Sequence, residues 1–445
     1  VLSVVSGSPV DTGTPAAPSG RRGLVGSLLA SPAARSGLLL LVCSVAGHLG
    51  NYLYYVLAAR ALTPAEFAEV SAMTGLATIA LMPATGVQAA MAREIAALTA
   101  RGLPDEAQGL IRFVTRRMAL VQAGLFVVLV AAAPAAVAVL ELDSIAVWLT
   151  GALWIVLGLG LQVSQGIHQG REHFGRVGAI LAGPLGILRA VLLVPLAAVA
   201  GVVGALGALV LATVVGLVMA LGRTGGRAVA RTQRVRLNVR PALVALAAFA
   251  SLTNLDLLVA KVTLEPTEAG LYASAALLGK IALYGPSALA LMLLPKVAAR
   301  LEAGQSVRSP ALLTMAATVA TGGAVVLAIV LAPSSLVVGV FGEAYADAYA
   351  LAGPLAGVMT LLALVYVHIM VTLARGDRRL IGIVSVAAVV QAVGLLVLGT
   401  TPVRMVLVTA VVAVGVLVAH EVSSRFGLVR LCLGEPGRQP RVPAA

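Results

Sequence analysis

The sequence predicts an all-α integral membrane protein with twelve transmembrane helices in two six-helix lobes, related by a pseudo-two-fold axis along the membrane normal. Three observations predict it. Of the 445 residues, 60% are hydrophobic and only 11% charged, with a mean hydropathy of +1.02; a soluble globular chain is about one-quarter charged. The charges gather in short breaks between apolar stretches long enough to cross a bilayer. Sequence features also recur at an offset of 202 residues. Aromatics are only 4%, so the apolar mass is Ala, Val, Leu and Gly, which builds smooth helices that pack closely in lipid.

A bilayer core needs about 20 apolar residues of helix. Residues 1–34, rich in Ser, Gly, Pro and Ala, read as a flexible cytoplasmic tail: the apolar core that follows has spanning length, not signal-peptide length. Cutting at charges and Gly/Pro clusters gives spans at 36–60, 66–91, 117–140, 145–168, 176–199 and 203–222 in an N-lobe covering 35–222. The Arg-rich segment 223–240 has no apolar periodicity and reads as a cytoplasmic linker. A C-lobe over 241–424 holds spans at 241–263, 268–294, 310–332, 348–373, 380–400 and 402–423, followed by a tail at 425–445. The tightest joins are at Gly201 and at Thr400-Thr401-Pro402.

Basic residues in short loops set orientation. Loops after even-numbered spans hold 19 Lys and Arg, against three (Arg60, Lys261 and Arg404) after odd-numbered ones, which instead carry Glu66, Glu69, Glu141, Asp143, Glu265, Glu268, Glu343 and Asp347. This predicts cytoplasmic termini and a multi-pass protein of a bacterial plasma membrane. The net charge of +13 therefore reflects topology and implies no nucleic-acid partner.

The 202-residue offset puts Pro64 on Pro266 and Glu66 on Glu268. Six helices is an even number, so both halves enter from one side. Such parallel repeats pack about an axis along the membrane normal, with a substrate site between them.

Two basic residues fall inside spans, Arg189 in the fifth and Lys280 in the eighth. Each lies about 12–13 residues from its helix start, roughly 18–20 Å deep. Two cations facing one cavity suit an anionic phosphate or diphosphate headgroup; the bland alternative pairs Lys280 with Asp256 on the adjacent helix. Asp256, close after Asn254, is read either as a gating or ion-binding group or as a structural one paired with Lys261. Asn51 and His48 in the first span join the candidate cavity set. His368 reads as a packing residue or a proton relay, and His168 and His173 as solvated. Trp148, Tyr52, Tyr54 and Tyr55 suit the outer interfacial belt. Cys43 and Cys432 are too far apart to suggest a disulfide framework or metal site. No nucleotide-binding loop and no cofactor motif is present.

Four passages resemble the multidrug/oligosaccharidyl-lipid/polysaccharide (MOP) flippase superfamily, specifically its polysaccharide-exporting branch. They are Gly50-Asn51 with Ala59-Arg60-Ala61-Leu62-Thr63-Pro64; Asn254-Leu255-Asp256 through Glu268-Ala269-Gly270-Leu271-Tyr272-Ala273; Gln165-Gly166 with Gln169-Gly170 and Phe174; and Phe341-Gly342-Glu343-Ala344-Tyr345 with Ala348. The resemblance implies a V-shaped pair of lobes, a central cationic cavity and alternating access by lobe rocking. It also implies a polyprenyl-pyrophosphate-linked glycan as substrate, surrounding membrane lipids, and glycosyltransferases or a polymerase of the same pathway as candidate partners. Lys280 falls where many relatives place Arg or Lys. Two rivals stand beside this reading. A cation-coupled multidrug antiporter of the same superfamily would want a carboxylate in the first lobe's membrane core, where none occurs. A multi-span polyprenyl-sugar glycosyltransferase would want a sizeable outer domain.

Overall fold

The computed structural model describes residues 32–221, 240–303, 305–375 and 379–423. Most of the predicted N-terminal tail, the linker up to residue 239 and the C-terminal tail lie outside them. Every regular element among the described residues is helical.

The twelve spans are α1 (Pro32–Ala61), α2 (Pro64–Ala100), α3 (Pro104–Ala131, continued by a short helix Ala133–Leu140) and α4 (Ile145–Gly170). Next come α5 (174–199) and α6 (202–220), then α7 (Arg240–Thr263), α8 (Pro266–Glu302) and α9 (Arg308–Leu331). The chain ends with α10 (Tyr349–Arg375), α11 (Arg379–Leu398) and α12 (Pro402–Ser423). Between α9 and α10 the predicted loop is itself helical, over Ser335–Phe341 and a 3₁₀ turn Glu343–Ala348.

Local sequence explains several boundaries. Proline, whose missing N–H costs nothing in a first turn, opens α2, α3, α8 and α12. Thr63 caps α2 reciprocally: Glu66 N donates to Thr63 Oγ1 at 3.3 Å, and Thr63 N donates to Glu66 Oε2 at 2.8 Å. The α5–α6 join is a two-residue reversal at Ala200 and Gly201. Gly201 has φ +53°, a left-handed conformation that a side chain resists. The chain doubles back so tightly that a Cβ on Gly204 would sit 1.8 Å from the Leu196 carbonyl oxygen. Within α5, Gly183–Leu188 winds as a π-helix, which the sequence reading did not anticipate.

The helices are also longer than apolarity alone suggested. Arg112, Arg116 and Arg117, expected in a loop, stand on α3, because Pro104 starts that helix well before its apolar stretch.

The lobes repeat one plan. α2 and α8 are both 37 residues long and are offset by the predicted 202 positions at both ends. In the N-lobe α2 packs on α4, α4 on α6, α3 on α4 and α1 on α5; in the C-lobe α8 packs on α10, α10 on α12, α9 on α10 and α7 on α11. Outward faces such as Val386, Val389 and Val393 of α11 are exposed, as lipid-facing positions are. α10 is the most enclosed span, carrying Leu355, Met359, Leu362, Val365 and Val367 in the core.

The lobes meet unevenly. α2 packs along α7, and a Cβ on Gly75 or Gly86 would contact Asn254 and Leu258, or Ala242 and Leu246, on that helix. The two-fold would copy this contact as α8 along α1, but among the described residues no such packing joins them. The lobes are thus seamed on one side and parted on the other. The bundle has an acidic end, with the loops at 62–63, 141–144, 264–265 and 332–348, and a basic end opposite it.

Candidate functional site: a cavity between the lobes

Four helices wall the cavity between the lobes. α1 contributes His48, Asn51, Tyr52 and Tyr55; α2 contributes Phe67, Ser71, Thr74, Gly75 and Thr78. α7 contributes Asn254 and Leu257, and α8 contributes Ala273, Leu277, Lys280, Ile281 and Tyr284. The spacings of three, four, seven and eight residues put each set on one helical face. By the 202-residue offset, Lys280 occupies in α8 the place of Thr78 in α2. The two-fold therefore sets one cation opposite a hydroxyl. The cavity volume is about 90 Å³, enough for a few waters.

Among the described residues Lys280 is the one charged side chain on this wall. It is 6% exposed, and its Nζ donates to Asn254 Oδ1 at 2.7 Å. Asn254 is itself held, its Nδ2 donating to the Ala250 carbonyl at 3.0 Å and to Thr253 Oγ1 at 2.9 Å. An ammonium carries three donors, so Asn254 fixes the head of Lys280 and leaves donors for a ligand.

Asp256 is fully buried and does not line the cavity. Its Oδ2 accepts from the Tyr272 hydroxyl at 2.9 Å, while Oδ1 has no hydrogen-bond partner. Neither bland pairing forms as a direct bond: Lys280 bonds Asn254, two residues nearer the basic end of α7, and Lys261 reaches Glu141 and Glu69 instead. Asp256 and Lys280 remain electrostatic neighbours.

Arg189 does not stand on the cavity wall beside Lys280. It begins the α-helical stretch after the π-turn of α5 and lies behind α1, in electrostatic reach of Tyr54, Tyr55 and His48. Its Nε is buried without a partner. Asn51 and His48 do line the cavity, and the His48 ring stacks on Tyr284 of α8 with centroids 6.3 Å apart. That contact bridges the otherwise parted α1–α8 side.

Several aromatic readings change. Tyr54 is fully buried and donates to the Ala205 carbonyl at 2.9 Å. Tyr52 and Tyr55 line the cavity, and Tyr55 shares a hydrogen bond with Thr74. Trp148 is buried, its Nε1 donating to the Leu129 carbonyl at 2.7 Å. All four turn into the protein: Tyr52 and Tyr55 share the inward face of His48 and Asn51, Tyr54 packs on α6, and Trp148 on α4 is held by its bond to α3. His168, expected in solvent, is buried against the end of α6, Nε2 on the Ala220 carbonyl at 2.9 Å. His368 is a buried packing group, its Nδ1 on the Leu364 carbonyl and its ring edge-on to His420.

Known structures share this architecture. No protein-family model matches the chain, and no curated protein matches it in sequence. Among solved structures, the inward-facing conformation of a multidrug resistance MATE family transporter of the MOP superfamily matches with a TM-score of 0.66 and 15% identity, covering 89% of this chain and 98% of that one. The lipid II flippase MurJ, in an inward closed conformation, matches with a TM-score of 0.63 and 11% identity, covering 89% of each chain. A MOP superfamily transporter from Pyrococcus furiosus, described as having a binding pocket of reverse polarity, matches with a TM-score of 0.55 and 16% identity over 91% of this chain and 97% of that one. The chain shares its fold with these three structures.

Proposed function

We propose that the protein is a membrane transporter that moves a polyprenyl-pyrophosphate-linked oligosaccharide or polysaccharide precursor from the inner to the outer leaflet of a bacterial plasma membrane. The observation that carries this reading is the composition of the cavity wall. Among the described residues it holds one cation, Lys280, two amides, three hydroxyl-bearing Ser and Thr residues, and no carboxylate. Such a wall suits a diphosphate with a neutral polar sugar attached; to a cationic drug it offers the aromatic faces of Tyr52, Tyr55, Phe67 and Tyr284 but no carboxylate among the described residues.

The parted α1–α8 side gives the lipid a way through. The glycan head enters between the lobes while the prenyl tail stays in the bilayer, and the acidic end, taken as outward, opens when the lobes rock. Lys280 holds a phosphate oxygen, pinned by Asn254, and Asn51 and His48 face the same space. Arg189 strengthens the positive field from behind α1. Moving an anion outward in an inside-negative cell gains about 2.3 kcal/mol per charge per 100 mV.

Asp256 favours a second reading, a cation-coupled multidrug antiporter. A fully buried carboxylate with one unpartnered oxygen is the kind of group that takes up a proton or cation. Binding to the purified protein separates the two. A short-chain polyprenyl diphosphate should bind more tightly than a lipophilic quaternary ammonium ion; the opposite order would overturn the anionic-substrate reading.

A further inference from the structure

The acidic end carries two cationic side chains in the corresponding last turns of the two lobes' first helices, one residue out of the 202-residue register. Arg60 and Lys261 are the basic residues in the last turns of α1 and α7, the first helices of the two lobes. Each reaches across to the other lobe. Arg60 donates from Nε to the Val340 carbonyl at 2.8 Å, and from its terminal nitrogen to the Gly339 carbonyl. Lys261 donates from Nζ to the Glu141 carbonyl at 2.8 Å.

The acceptors lie at the ends of corresponding short helices. Gly339 and Val340 end the short helix Ser335–Phe341, and Glu141 is the residue just after Ala133–Leu140. Those helices start 202 residues apart, and both stop at a positive φ, 49° at Glu141 and 106° at Gly342. The last carbonyls of a helix have no partner within it and carry the negative end of its dipole. A cation there satisfies an otherwise unpaired oxygen and a partial charge together.

We propose that Arg60 and Lys261 form a crossed pair of latches, each seating a cation from one lobe on the C-terminal end of the other lobe's short helix, and that together they hold the acidic end shut. The device rests on the reading of the protein as a transporter whose lobes rock, but it concerns which end is closed and not what is carried. One lobe cannot swing away from the other without breaking both contacts, so the two open together.

The latches differ in burial for a visible reason. Lys261 is 8% exposed and has Glu69 Oε1 at 3.9 Å. Glu69 in turn accepts from Asp143 N at 2.8 Å, which keeps the 141–143 turn in place. Arg60 is exposed and carries no such counter-ion; the repeat puts Leu271 at the position of Glu69. A cation drawn into the protein needs a neutralising partner, and one left at the surface does not. Phe67 of α2 against Tyr345, edge-on at 5.9 Å, closes the space between the two latches.

The test is a spin-label distance measurement across the acidic end. Labels go on Val199→Cys in the N-lobe and Glu265→Cys in the C-lobe, both exposed, with Cys43 and Cys432 replaced by serine and the full chain in lipid nanodiscs. A hydrogen bond from a charged donor contributes enough that Arg60→Gln or Lys261→Gln should each raise the open-to-closed ratio about tenfold. The double variant should raise it by the product, about a hundredfold, because one closed state loses both contacts. Arg60→Lys and Lys261→Arg should keep the wild-type distribution. Arg404, also exposed at this end but bonded to Thr400 within its own lobe, is the control, and Arg404→Gln should change nothing. A double variant with the wild-type distances, or Arg404→Gln opening the end as far, would overturn the proposal. Since Arg60 is exposed, Arg60→Gln alone decides the matter where the buried Lys261 change impairs folding.

Discussion

Replacing Lys280 by alanine should cost the protein its preference for a diphosphate. The side chain is 6% exposed, and Asn254 holds its Nζ at 2.7 Å, so one donor is committed and the rest face the cavity. A hydrogen bond from a charged donor is worth about 1.5–3 kcal/mol net, and tenfold in affinity is about 1.4 kcal/mol. Counting one such bond, because part of any second is spent on desolvation, Lys280→Ala should bind a short-chain polyprenyl diphosphate about tenfold to a hundredfold more weakly. Binding of the matching polyprenyl alcohol should be unchanged. Lys280→Arg should keep most of the preference, since charge and donors remain. The assay is titration of purified protein with the diphosphate and the alcohol of one chain length. In a cell, Lys280→Ala should accumulate lipid-linked sugar on the inner leaflet. An alanine variant that still separates diphosphate from alcohol as the wild type does would refute the reasoning.

Two structural predictions follow. Gly50→Ala should lower expression and thermal stability sharply, because its Cβ would lie 2.4 Å from the Gly186 carbonyl carbon, where α1 meets the π-turn of α5; Gly151→Ala should be far milder, since the clash there is with the mobile end of Met73, and equal losses by thermal melt would contradict this. Tyr272→Phe removes the hydrogen bond that Asp256 Oδ2 accepts from the Tyr272 hydroxyl, which should cost about 1–3 kcal/mol at this buried carboxyl; a variant as heat-stable as wild type would mean that the Tyr272 bond contributes nothing to stability.

What the sequence made legible follows from which forces act along the chain and which act across it. Spanning helices announce themselves by unbroken apolarity, and the repeat was readable in Pro64 and Pro266 because both start long helices of equal length. Lys280 stood out since a cation deep in an apolar helix has few reasons to be there. The partner of Lys280 was not legible: Asn254 and Asp256 lie two residues apart, and only the helix rotation decides which faces the ammonium. The cavity faces of Tyr52 and Tyr55 could have been found, since with His48 and Asn51 they fall on one face of α1; the burial of Tyr54, off that face, left no such signal. The reach of Arg60 and Lys261 was hidden because their partners are backbone carbonyls, which leave no side-chain signature. Their similar placement, however, was written in the sequence, Arg60 four residues before Pro64 and Lys261 five before Pro266.

The central claim is that an anionic lipid-linked glycan crosses the membrane through this cavity. Its most direct test is translocation of a fluorescent polyprenyl-pyrophosphate oligosaccharide in proteoliposomes holding the purified protein, read by quencher access to the opposite leaflet. The account predicts translocation that needs the protein, falls in Lys280→Ala and speeds up when the potential drives an anion in the direction measured. Failure to move the lipid-linked sugar, with transport of a lipophilic cation by the same vesicles, would contradict it.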